Sequence, residues 1–323
     1  MICVLCGGVG AARFLQALAT VAPPNATVGI VNTGDDTVMH GLAISPDLDT
    51  IVYTLAGAID PERGWGLLDE TWRAMHALGR YAQARPTEST AAPTWFNLGD
   101  QDLATHFYRT ARLAEGATPT EVASEVAAAW GVQQQLFPMT DQRVATMVRL
   151  RDEDVEVPFQ EYFVKRHHDV PVSGVRFDGS AQANLAAAAA AALRAADAVV
   201  IAPSNPIVSI GPIRALRGVD SLLAARRDSV VAISPIVGGA ALKGPADRML
   251  TELGHEASVV GVARLYAAIA SSLVIDPVDA HLASAVEAEG MRAIVVPSVM
   301  STPAIGAALA RAALLAAGLP VAD

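Results

Sequence analysis

Cysteine and lysine are almost missing from this chain of 323 residues. The two cysteines, Cys3 and Cys6, have the spacing of half a metal site. They fall, however, in an apolar stretch, Ile2–Cys6, that reads as a strand, where residues i and i+3 point to opposite faces. One ion cannot readily take both, so they read as small buried apolar residues. Lysine occurs only as Lys165 and Lys243, the net charge is −10, and arginine nowhere clusters into a basic face. This excludes nucleic acid as an expected partner. An acidic chain that handles phosphates needs a metal or well-placed arginines to offset repulsion. Long apolar runs are lacking too. A membrane span takes about 20 residues; the best stretch, residues 265–275, is too short, and Arg311 interrupts the C-terminal Ala/Leu helix. No basic-then-apolar leader opens the sequence. A cytoplasmic protein without membrane contact is expected.

Three regions follow one another. Residues 1–53 read as strand 2–6, a glycine-rich turn, helix 11–21 and strand 27–31, the opening of a βαβ unit with strands apolar enough for a sheet covered on both faces. Residues 54–179 look mostly helical (67–82, 101–114, 120–128), with strand-like pieces near 143–150, and hold all four tryptophans. From residue 180 the βα rhythm returns, with strands at 198–202, 229–234, 273–276 and 292–297, each ending in a loop of Gly, Pro, Ser or Asn. The expected fold is α/β: a Rossmann-like parallel sheet flanked by helices, built from 1–53 and 180–323, with 54–179 as a mainly helical inserted cap. Ligands of such sheets bind at the carboxyl ends of the strands.

The first of those loops is Gly7-Gly8-Val9-Gly10-Ala11-Ala12-Arg13. Glycines between strand and helix let backbone N–H groups approach phosphate oxygens; the alternative is a tight turn with no ligand. Arg13 stands where a dinucleotide fingerprint has its third glycine, and the second strand ends in Asn32 rather than an acid, which argues against a nicotinamide oxidoreductase. Asp35, Asp36, Asp47 and Asp49 then fall within fifteen residues. Hard carboxylate oxygens suit Mg²⁺, although aspartate also caps helices and makes turns. In the loop 203–211, Ser204, Asn205, Ser209 and Gly211 offer hydroxyls, a carboxamide and free N–H groups at a helix start, or a rigid turn. Loop 234–239 is similar, and Lys243 beyond it could reach a phosphate. Asp102, His106 and Arg109 share one helix face, either a functional stripe over donor phosphates or a solvated surface. Trp65, Trp72 and Trp95 could stack on a flat ring or pack a core. His167 and His168 read as surface residues at a helix end.

Six segments in this order, GGVGAARFL, VNTGDD, SPDLDTIVYTLAGAIDPERGWG, LGDQDLATH, APSNPIVSIGPI and SPIVGG, make the chain similar over nearly its whole length to the 2-phospho-L-lactate transferase family of deazaflavin-coenzyme (coenzyme F-420) biosynthesis. It most resembles the actinobacterial-type members, which use an enolpyruvyl donor. The resemblance implies a Mg²⁺-dependent reaction. The ribityl hydroxyl of the deazaflavin Fo attacks the phosphorus carrying an enolpyruvyl or lactyl group on a guanosine-diphospho donor, and GMP leaves. By the same resemblance Asp35, Asp36 and Asp49 are catalytic, and Asp35, Asp36, Asp47 and Asp49 hold the metal. Asp49, Asn97, Trp65 and His106 meet Fo. Gly7, Gly8, Gly10, Arg13, Ser204, Asn205, Ser209, Gly211 and Arg109 take the nucleotide and its phosphates. The exposed apolar helices expected of such a fold suggest a homodimer, and Asp49→Ala is expected to abolish transfer while leaving the protein folded. The alternative is a non-catalytic regulator of a related family that binds uridine-diphospho sugars. It shares the glycine-rich start but not the SPDLDT…RGWG and LGDQDLATH segments.

Overall fold

Ile2–Cys6 (β1) and Thr27–Val31 (β2) contain no charged residue and bury every side chain; they pair in parallel across the helix Gly8–Leu18 (α1). The computed structural model describes residues 1–320. After β2 a hairpin, β3 (Thr37–Met39) and β4 (Leu42–Ile44), leads into α2 (Pro46–Leu55), α3 (Arg73–Ala84), α4 (Asp102–Ala114) and α5 (Pro119–Ala129). The start of α5 is set locally. Thr118 and Glu121 form a capping box around Pro119 in the first turn, which satisfies N–H groups that a helix otherwise leaves open. Then follow β5 (Gln135–Pro138), β6 (Ala145–Leu150), β7 (Val155–Pro158) and β8 (Val172–Asp178). The remainder alternates: α6 (Ala187–Ala195), β9 (Ala198–Ile201), α7 (Gly211–Arg214), α8 (Val219–Ala224), β10 (Val230–Ile233), the short β11 (Ile236–Val237) and β12 (Ala240–Ala241), α9 (Ala246–Glu252), α10 (Val259–Tyr266), β13 (Ser272–Ile275), α11 (Ala283–Ala288), β14 (Arg292–Val295) and α12 (Pro303–Ala316).

Seven strands make the main sheet in the order β14-β13-β10-β9-β1-β2-β5, every pairing parallel. Helices cover both faces, so the sheet divides two cores. Cys3 and Leu5 of β1 pack with Val199, Ile201 and Leu193 on one side. Val4 and Cys6 pack with Phe14, Leu15 and Leu309 on the other. This is the period-two alternation of a strand, and it places the two thiols on opposite faces. Burial pushes the Cys3 thiol up to about 12 and raises that of Cys6 as well. Thiolate is the reactive form, so iodoacetamide at pH 8 is expected to label neither cysteine in the native protein and both after denaturation, as read by intact mass. Among the described residues no helix is long and apolar enough to cross a membrane.

The middle region departs from the expected partition. Residues 54–179 do not form a cap apart from the core. Their β5 is the edge strand of the main sheet, and Val122, Ala123, Val126 and Ala127 of α5 share the core cluster of Phe14 and Leu15. Helices α3, α4 and α5 outweigh its strands, and β6, β7 and β8 add an antiparallel sheet. Its buried Val148, Leu150, Val157 and Val172 pack on Met249 of α9. The helix expected from residue 67 begins at Arg73 instead. Leu67 and Glu70 are held in a loop, where the Leu67 N–H donates to Glu70 Oε1 at 2.9 Å and Arg63 Nη2 donates to the Leu67 carbonyl at 2.9 Å.

Chain order reverses across β1: β2 lies on one side of it and β9 on the other. In open α/β sheets the crevice at such a reversal takes the ligand.

Candidate active site

The acidic cluster forms because β2 ends at Val31 and the chain turns sharply there. Asn32, fully buried, governs the turn. Its Oδ1 accepts the Gly34 N–H at 2.9 Å, and its Nδ2 donates to Asp35 Oδ2 at 3.2 Å and to Asp47 Oδ2 at 2.9 Å. Asp47 stands in the first turn of α2 behind Pro46, so one carboxamide bridges two loops fifteen residues apart. Ser45 Oγ donates to Asp36 Oδ2 at 2.8 Å, and Gln160 Nε2 donates to the Asp35 carbonyl at 3.2 Å. Burial, reinforced by Asp47, raises the Asp35 carboxyl well above its ordinary value. Burial pushes Asp36 up to about 8 and Asp47 to about 6. The hydrogen-bond partners of these side chains include Asn32, Ser45 and the Gly8 backbone, and no ion pair engages any of the three carboxylates among the described residues. Asp35 Oδ1 is buried with no hydrogen-bond partner. Crowded carboxylates with an orphaned oxygen are what a hard divalent cation relieves. Asp35, Asp36 and Asp47 offer the hard oxygens that Mg²⁺ takes, whereas the group of three side chains found, among the described residues, with ligand atoms within 4.8 Å of one another is Asp49, Asp102 and His106.

Asp49 makes a different set of contacts. Both of its oxygens take Arg109 of α4: Nη1 donates to Oδ2 at 3.1 Å, and Nη2 donates to Oδ1. The pair is buried, 5% and 6% exposed. Burial raises the Asp49 carboxyl, and Arg109 opposes that rise. Behind the arginine, His106 Nδ1 lies 3.2 Å from Arg109 Nη1 and His106 Nε2 lies 3.1 Å from Asp102 Oδ2. Tyr53 O–H donates to Asp102 Oδ1 at 2.5 Å. Burial works against ionisation of Asp102, but His106, Tyr53 and Arg109 together outweigh it and hold the carboxyl below its ordinary value.

A cleft of about 520 Å³ opens beside these groups. Asp35, Asp36, Asp49, Arg109, Asp141 and Arg143 supply its charged lining, and Leu113, Val122, Val126, Pro158 and Phe159 supply apolar wall. Asp47 does not line the cleft; it backs onto the glycine-rich turn, where a Cβ on Gly7 would come 2.6 Å from its Oδ2.

That turn is packed rather than open. A Cβ on Gly10 would meet the Pro203 carbonyl oxygen at 2.4 Å, so the loops after β1 and β9 lie against each other. Gly10→Ala is expected to cost about 1–3 kcal/mol through forced backbone displacement, read as a lower melting temperature. Ser204 Oγ donates to the Gly7 carbonyl at 2.8 Å. Asn205 Oδ1 accepts the N–H groups of Ile207 at 2.9 Å and Val208 at 3.3 Å. Ser209 lies against Gly7, and Gly211, which opens α7, backs onto Phe177. Ser204 is thus engaged by the glycine-rich turn and Asn205 within its own loop, while Arg13 of α1 is exposed.

Three expected Fo contacts are not brought to the cleft lining. His106 is 1% exposed, because Tyr53 of α2 and the α4 backbone enclose it; it touches Arg109 instead. Asn97 is exposed, and Trp65 is 44% exposed, with the Arg63 guanidinium carbon 5.4 Å from its ring and 4.8 Å from that of Trp72. Lys243 Nζ donates to the Arg63 carbonyl at 3.4 Å, tying its loop to the same segment. His168 is half-buried and stacks on Phe163, while His167 is exposed. Asn32, Tyr53 and Gln160 escaped the sequence reading as site residues. Asn32 followed the second strand in plain view, whereas nothing local marks Gln160, which reaches Asp35 across 125 positions.

The family described as 2-phospho-L-lactate transferase CofD matches residues 2–301. A phosphoenolpyruvate transferase of Streptomyces griseus subsp. griseus is 41% identical over 316 residues, 97% of each chain. One from Mycobacterium tuberculosis (strain ATCC 25177 / H37Ra) is 38% identical over 333 residues, 98% of each chain. Among solved structures, a UPF0052-family protein of Bacillus halodurans superposes with a TM-score of 0.60 at 13% identity, over 97% of this chain and 98% of that one, and so shares the fold. From the glycine-rich turn to the last strand the chain is spanned by one family, and it belongs to the 2-phospho-L-lactate transferase CofD family.

Proposed function

We propose that this protein transfers an enolpyruvyl phosphate, or its lactyl counterpart, from a guanosine-diphospho donor to the terminal ribityl hydroxyl of the deazaflavin Fo, with Mg²⁺ and with release of GMP. The single observation that carries the reading is the cleft. It joins an apolar wall suited to a flat heteroaromatic ring to a charged lining that includes Asp35, Asp36, Asp49 and Arg109. In phosphoryl transfer, positioning and charge neutralisation matter more than covalent help from the protein. Asp35 and Asp36, with Asp47 behind them, would hold the metal. When bound, Mg²⁺ supplies positive charge to the donor's diphosphate oxygens. Asp49 is left out of that set because Arg109 already takes both of its oxygens.

The ring of Fo lies along Val122, Val126 and Phe159, with its ribityl chain toward Asp49. Asp49 orients the terminal hydroxyl and receives its proton as the oxygen bonds to phosphorus. The bond from that phosphorus to the GMP oxygen breaks, and a phosphodiester remains. Arg109 keeps Asp49 in place and presents positive charge to the donor side. The test is turnover with Fo, Mg²⁺ and, in turn, the enolpyruvyl, lactyl and phosphoglyceryl donors, read by GMP release and product mass. The expected result is a phosphodiester of Fo from at least one donor. No GMP and no adduct from any of them would overturn the reading, and uridine-diphospho-sugar binding without turnover would favour the regulator.

A further inference from the structure

Four side chains around Arg109 form a chain of contacts that no step of the proposed transfer consumes. Arginine donates through every nitrogen and accepts through none. His106 Nδ1 lies 3.2 Å from Arg109 Nη1 and 3.8 Å from Asp49 Oδ2; with a donor as its nearer neighbour, Nδ1 acts as acceptor in the tautomer that carries its proton on Nε2. Nε2 faces Asp102 Oδ2 at 3.1 Å, although off the line of a hydrogen bond. The second oxygen of Asp102 is taken by the Tyr53 hydroxyl at 2.5 Å, which also lies 2.9 Å from Thr105 Oγ1. Arg109 Nη1 further reaches the Ala43 carbonyl at 3.4 Å. The guanidinium is therefore held from behind by His106, from β4 by Ala43 and in front by Asp49.

We infer that His106 and Asp102 are positioning residues, and that a single imidazole tautomer, fixed by Asp102 and Tyr53, sets the plane in which Arg109 grips Asp49. The argument is geometric. A guanidinium matches a carboxylate only when the two are coplanar, and one flexible arginine needs a third contact to select that plane. His106 supplies it by accepting at Nδ1. Were its proton on Nδ1, donor would face donor, and Arg109 would swing away and release Asp49. The inference rests on the transferase reading for its kinetic arm, and stands apart from it for its spectroscopic one.

Two measurements test it. In protein labelled with ¹⁵N-histidine, long-range proton–nitrogen correlation should show one imidazole, lost in His106→Asn, with a pyridine-like Nδ1 and a pyrrole-like Nε2. Asp102→Leu should shift that resonance toward mixed tautomers. In steady-state kinetics His106→Leu should lower kcat by about 100-fold, the scale of a misplaced catalytic group, with little change in KM for the donor. His106→Asn, whose amide oxygen replaces Nδ1 as acceptor, should recover most of the loss. A His106 proton found on Nδ1, or a folded His106→Leu protein with wild-type kcat, would overturn the inference. If His106→Leu fails to fold, His106→Asn and the wild-type spectrum decide it. Failure of the wild-type protein to use Fo overturns the proposed function alone, since the tautomer is read without substrate.

Discussion

Arg109→Met is expected to abolish transfer and to lower the stability of the fold by about 3–5 kcal/mol, the usual cost of removing one partner from a buried ion pair. Asp49 is 5% exposed and receives Arg109 on both oxygens; with a thioether in that place its carboxylate would face apolar surroundings unpaired. Asp49→Ala should be destabilising by the same reasoning, because it strands the guanidinium. The double variant Asp49→Ala with Arg109→Met removes both charges, so it should recover stability relative to either single change while remaining inactive. Chemical denaturation of all four proteins closes the cycle, whose coupling measures the pair. If Arg109→Met melts as wild type does and turns over normally, the ion pair has no part in holding or running the site.

Asp35→Asn is the second substitution with a large expected effect, and its sign differs between two assays. In turnover it should cost about 10²–10³-fold, the scale of losing one electrostatic contact to a developing charge. In stability without metal it should be neutral or favourable. Burial and the neighbouring Asp47 both disfavour the ionised carboxyl, and one of its oxygens has no partner; an amide there relieves like-charge crowding. Addition of Mg²⁺ should raise the melting temperature of the wild-type protein, since a ligand at 100 times its dissociation constant stabilises by about 2.7 kcal/mol. The increment should shrink in Asp35→Asn and in Asp36→Asn. Calcium or magnesium leaving the wild-type melting curve unmoved at millimolar concentration would remove the carboxylate cluster as a cation site.

How far the site could be read beforehand differs from residue to residue. Asp35, Asp36 and Asp49 were nameable because they follow one strand closely, and a βα loop has little freedom in where it goes. Arg109 was nameable from its helix face. Whether that face met solvent or α2 was not, since i, i+4 and i+7 spacing fits both, and the buried His106 falls on the wrong side of that ambiguity. Trp65 and Asn97 sit in loops whose course no periodicity records. Glu70 is a case of local pattern losing to a tertiary contact. It belongs to a run that reads as helix, yet its carboxylate takes the Leu67 N–H and lies against Gly99, where an added Cβ would overlap Glu70 Oε2.

The amino-acid sequence alone determined the strands β1 and β2, the opposite faces of Cys3 and Cys6, the parallel α/β architecture and the neighbourhood of the aspartates, because each depends on period or on short chain separation. The tertiary structure decided which aspartate is paired and which is left open. Asp49 meets Arg109 across 60 positions, Asp35 meets Gln160 across 125, and Gly7 meets Ser204 across 197. It also decided that β5 joins the main sheet. Such contacts form when packed elements bring distant side chains within hydrogen-bond reach, and the direction of a buried side chain is set by what packs against it rather than by its neighbours along the chain.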